Sequence, residues 1–84
     1  MAKEEKAKRA AIAKQFRDEL KAHGLKNAIV GLIGSNNDKT SVRKQVLTQQ
    51  CRKPNFRRDF TSACKEIGSY NPMVWALYHE IINS

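Results

Sequence analysis

The sequence predicts an all-α protein, a compact bundle of four to five short helices forming one domain. Three observations carry this. Apolar residues recur at three- and four-residue spacing through most of the 84 residues. Gly24, Gly34, Pro54, Gly68 and Pro72 stand where that periodicity breaks. No pair of strand-like segments is visible that could form a sheet. A chain this short buries only about 60–65% of the surface its unfolded form exposes, so its stability is marginal. A groove, a surface patch or an interface between copies is easier to build on it than a deep enclosed site.

The first helix is expected over residues 3–23, which are rich in Ala, Lys, Glu, Arg and Gln. Ile12, Phe16 and Leu20 give it a narrow apolar seam, with Ala13 beside them. Residues 1–9 offer no large apolar group beyond Met1 and are expected to fray or project. His23-Gly24 ends the helix, because Gly accepts the left-handed conformation that closes a last turn. Residues 25–33 are short and apolar, and pattern alone does not separate helix from strand there. A short helix is expected, with Leu25, Ile29 and Leu32 or Ile33 inward. Gly34 to Asp38 is a loop. Thr40 or Ser41 is expected to cap a third helix reaching about Arg52, with Val42, Val46 and Leu47 inward. Pro54 breaks it. Asn55 is the expected cap of a fourth helix, 56–67, stopped by Gly68. Asn71-Pro72 is a start signal for a last helix that runs to about Asn83. The expected core draws on Phe16, Leu20, Ile29, Val46, Phe56, Phe60, Ile67, Leu77 and Ile81.

Lys and Arg total 16 against 8 Asp and Glu, a formal charge of +8. The excess is localised. Lys39, Arg43, Lys44, Arg52, Lys53, Arg57 and Arg58 follow one another with no acidic residue between Lys39 and Arg58. Arg43 and Lys44 fall in the first turn of the third helix, and Arg57 and Arg58 open the fourth. Cations oppose the helix dipole at an N-terminus, at a cost of about 0.3–1 kcal/mol each when exposed. Folding therefore does not ask for them there. The plain alternative is a solvated face that keeps a small protein soluble. Arg52, Lys53, Arg57 and Arg58 flank the Pro54-Asn55 turn, where Asn55 is a further hydrogen-bonding group for a phosphate. A helix-turn-helix is only loosely matched, because the turn holds Pro instead of the usual Gly. On that pattern the fourth helix would read bases with Asn55, Arg57, Arg58 and Thr61 or Ser62. Thr61 and Ser62 also fit as ordinary helix-surface residues.

Other chemistry is weakly represented. Cys51 and Cys64 lie in no CxxC pair and read as reduced thiols in the core, as in a reducing, cytoplasmic setting. A single bridge between them is possible on count alone. His23 and His79 have no Asp or Cys spaced to join them on a metal. No catalytic, metal or cofactor motif is present, so no enzyme is expected and no cofactor is called for. There is no signal-peptide pattern, and no apolar run approaches the ~20 residues of a membrane span. The first helix is basic and amphipathic, but its seam is too narrow for a membrane surface. Trp75 and Tyr78 widen the apolar side of the last helix, or anchor a protein partner. That helix carries few charges and is the best homodimer surface in the chain.

In composition alone, the small size, positive charge and lack of a catalytic motif resemble accessory proteins of bacteriophages and mobile elements. The expected function is non-enzymatic nucleic-acid binding through Arg43, Lys44, Arg52, Lys53, Asn55, Arg57 and Arg58. The alternative is a small regulator or inhibitor that docks on an acidic protein surface, with Trp75 and Tyr78 as partner-binding residues.

Overall fold

The computed structural model describes residues 2–84, with side chains from Glu4 onward. Among these residues there are five helices and no strand: α1 (Ala2–His23), α2 (Leu25–Leu32), α3 (Asp38–Gln50), α4 (Pro54–Gly68) and α5 (Val74–Ile82). The all-α bundle expected from the periodicity is the observed architecture. The segment after Gly24 is a helix, so that ambiguity resolves against a strand.

Backbone chemistry sets the boundaries. Gly24 takes φ 87° between α1 and α2, and its N–H donates to the Leu20 carbonyl at 3.1 Å. Asn27 Nδ2 donates to the His23 carbonyl at 2.7 Å, tying the two helices across the break. Gly34 takes φ 76° just past the end of α2 and turns the chain toward α3.

The cap of α3 is Asn37, not Thr40 or Ser41. Asn37 Oδ1 accepts from the Lys39 N–H at 3.0 Å, and Thr40 Oγ1 accepts from the Asn37 N–H at 3.3 Å. This reciprocal capping box moves the helix start upstream, makes Thr40 a buried third-position partner, and puts Arg43 and Lys44 in the second turn, not the expected first, where the dipole does not oppose them. Likewise, α4 begins at Pro54 after Lys53, not after Asn55. Proline loses nothing at a first helical position, where its missing N–H would have no partner. Asn71 does accept the Met73 N–H, at 3.3 Å. The chain then makes a tight turn through Pro72 and Met73 before α5 starts at Val74.

Helix α1 lies on α2 and α3, α4 lies on α2 and α5, and α3 also meets α5. Their shared core holds Phe16, Ile29, Leu32, Val46, Leu47, Phe60, Ala63, Cys64, Ile67, Val74, Leu77 and Ile81. Leu20 and Phe56, expected at the centre, are half-buried at its edge, and Leu47 and Val74 take fully buried positions instead. Arg9 Nη2 donates to Gln45 Oε1 at 3.1 Å, so the second turn of α1 already meets α3. The expected fraying of residues 1–9 falls partly outside the described residues, at Met1 and the side chains of Ala2 and Lys3. Among the described residues no helix is long and apolar enough to cross a membrane.

Candidate functional site

The inward residues of α4, from Phe60 to Ile67, fix its rotation about its own axis. With Phe60, Ala63, Cys64 and Ile67 inward, Arg58, Ser62 and Lys65 must face outward at 3.6 residues per turn. All three are exposed. Together with Pro54, Arg57 and Thr61 they line a shallow hollow of about 420 Å³. Arg57 also lines a second hollow of about 270 Å³, with Cys51, Arg52 and the C-terminal end of α5. It is the ridge between the two, and it joins Arg52 to Arg58 and Lys65 in one continuous surface. Lys53 and Asn55 are exposed beside it at the turn.

None of Arg52, Lys53, Arg57, Arg58 and Lys65 has a carboxylate partner among the described residues. The acids of α4 lie on its other flank. Asp59 and Glu66 border the hollow at the α1–α2 junction, and Glu66 is ion-paired with Lys26. The outward stripe of α4 therefore carries positive charge and short hydroxyl groups, and no acid.

Arg43 and Lys44 do not join this surface. Both are half-buried. The Arg43 guanidinium lies over the Phe16 ring, 5.9 Å from its centroid, and its Nε is buried without a hydrogen-bond partner. Lys44 Nζ pairs with Glu80 Oε2 at 3.1 Å across α3 and α5. These two cations serve packing between helices. Lys65 lies outside the basic run that the sequence displays. The basic run stops at Arg58 because Asp59 follows, and only the helical repeat of Arg58, Ser62 and Lys65 reveals the longer stripe.

The remaining candidates are placed as follows. Trp75 and Tyr78 are half-buried in the α4–α5 seam. A Cβ on Gly68 would lie 2.6 Å from the Trp75 indole, so glycine is what lets the ring sit down on α4. Tyr78 stacks on Phe60 at 6.0 Å, and Thr61 Oγ1 donates to its hydroxyl at 3.5 Å. The inner side of α5 is taken up by the core through Val74, Leu77 and Ile81. Among the described residues, the large apolar side chains left outside are Val30, Tyr70 and Met73. Cys51 and Cys64 are free and buried. Burial pushes the Cys64 thiol up to about 11, with a smaller contribution from the neighbouring Cys51. Burial also raises Cys51, while the Arg57 charge pulls it partly back. Among the described residues no three His, Cys, Asp or Glu side chains gather as metal ligands would.

Comparison with protein-family models, curated proteins and solved structures finds no match to this chain. The functional reading therefore rests on the surface itself.

Proposed function

We propose that the protein is a non-enzymatic nucleic-acid-binding module that holds the phosphate backbone on the surface formed by the α3–α4 turn and the outer side of α4. The observation that carries this is the contiguity of Arg52, Lys53, Arg57, Arg58 and Lys65, all exposed and none ion-paired within the described residues. Unpaired cations at close spacing repel one another and oppose folding. A polyanion removes that repulsion and releases its own condensed counterions, which drives binding. The reading carries a cytoplasmic location, supported by two free thiols in the core.

A gel-shift titration over salt tests it. Binding should be tight at low ionic strength and weaken linearly in log affinity against log salt. The double variant Arg57→Glu with Arg58→Glu should abolish the shift. No binding at low salt, or indifference to that variant, would sink the proposal.

A second reading has one observation in its favour: Tyr70 and Met73 are exposed at 70% and 62% around the α4–α5 turn, an apolar pair past the far end of α4 from the α3–α4 turn. It makes the protein a regulator that docks on an acidic protein partner. A pull-down from nuclease-treated lysate separates the two. A protein retained after nuclease and lost with Tyr70→Ala supports the second reading; nucleic acid alone supports the first.

A further inference from the structure

We infer that the ligand of this surface is double-stranded DNA, with α4 lying in its major groove. The inference rests on the nucleic-acid reading above and adds the form of the nucleic acid.

The shape of α4 is the first argument. Its inner side packs chiefly on α2 and α5, and its outer side is left exposed at Arg58, Ser62 and Lys65. Its 15 residues make a rod about 22 Å long and about 10–12 Å across. The major groove of B-form DNA is about 12 Å wide and admits such a rod. The major groove of A-form RNA is too narrow and deep for side chains to read.

The outward stripe is the second argument. Its middle is short, with Ser62 exposed and Thr61 half-buried against Tyr78. Its ends are long and basic. Arg58 and Lys65 are separated by about 10 Å along the axis at 1.5 Å per residue. A short centre allows close approach to the groove floor, while the long ends reach guanine edges or phosphates on either side. The stripe holds no aromatic ring. Proteins that grip single strands depend on exposed rings for base stacking. Phe56 and Tyr78 are half-buried, and Tyr70 lies beyond the end of the helix.

Charge supplies the third argument. Arg57, with Arg52 across the hollow and Lys53 at the turn, forms a basic flank for one phosphate wall. Asp59 and Glu66 occupy the other flank, and Glu66 is neutralised by Lys26. This asymmetry sets which strand the turn approaches.

Fluorescence anisotropy on the full chain tests the inference, using three labelled ligands of one sequence at low salt. They are a DNA duplex of about two helical turns, one of its single strands, and the matching RNA duplex. The DNA duplex should bind about tenfold tighter than either of the others. Ser62→Tyr fills the centre of the stripe with a ring while changing no charge. It should weaken duplex DNA binding about tenfold without altering the salt slope, whereas Arg57→Gln should lower that slope by about 0.9. Equal binding of the single strand or the RNA duplex overturns the groove placement, as does a Ser62→Tyr variant with undiminished affinity for duplex DNA. In each of those cases the nucleic-acid reading stands. Failure to bind any of the three ligands removes both.

Discussion

The basic residues inside α3 and those that follow it have opposite fates. In its second turn, Arg43 and Lys44 are drawn into contacts with other helices, one over Phe16 of α1 and the other against Glu80 of α5. Past its end, Arg52, Lys53 and then Arg57, Arg58 and Lys65 of α4 meet no carboxylate among the described residues. Residue type is shared by both groups. What differs is what stands opposite. A cation that faces another element becomes part of the fold; a cation that faces solvent is left unpaired, as the proposed phosphate contacts require.

Substitutions that exchange these fates test the comparison. The largest effect is expected from Arg57→Glu with Arg58→Glu. Nucleic-acid affinity should fall by at least about a hundredfold and the salt slope by about two. The urea midpoint should barely move, because exposed substitutions usually stay within about 0.5 kcal/mol.

The reverse pattern is expected of Arg43→Ala. It removes a half-buried stem and a cation over a ring, and should cost about 1–2 kcal/mol of stability by urea unfolding. Affinity should stay within about twofold of the parent, since a single distant charge is largely screened. A large loss of affinity with intact stability would place Arg43 back in the binding surface.

Thr40→Ala comes next, at about 1 kcal/mol, because it breaks the capping box that sets the start of α3. Its nucleic-acid binding should be unaffected in the folded fraction. Lys44→Met is the smallest effect. The Lys44–Glu80 pair is 32% and 55% exposed on its two side chains, so its loss should change stability by no more than about 0.5 kcal/mol.

Much of the fold was legible because its determinants are local. Gly24 marks a left-handed residue and Pro54 a forced break. The inner residues of α4 follow one helical repeat from Phe60 to Ile67. The errors at helix starts also have a local origin. Asn37 and Thr40 are both good capping residues, and which one caps depends on a reciprocal hydrogen bond that composition does not display. Pro54 signals a break in sequence, and in the structure it is also the first residue of α4. The site was less legible. Nothing near Arg43 in sequence signals Phe16, and nothing near Lys44 signals Glu80, 36 residues on. Those partners arrive only when α1 and α5 pack. Lys65 was hidden for the opposite reason. Asp59 and Glu66 stand close to it in sequence, yet they turn to another flank of the same helix.

Cys51 and Cys64 lie beneath this surface, with Arg57 close enough to act on the Cys51 thiol. Their raised pKa values give the protein an alkaline limit. A thiol kept neutral by burial favours the folded state fully below about pH 8.5, where the unfolded thiol begins to ionise. That contribution is lost as pH rises toward about 11, the value for Cys64. Urea midpoints should therefore fall over that window, and Cys64→Ala should flatten the fall. Cys64 also offers an internal clock. A thiol reagent reaches Cys64, which is fully buried, only when the core around α4 opens, so its labelling rate times that opening. Nucleic acid seated outside should slow the clock by the factor its affinity dictates. Occupancy of the surface can then be timed from inside the core, with no label on the ligand.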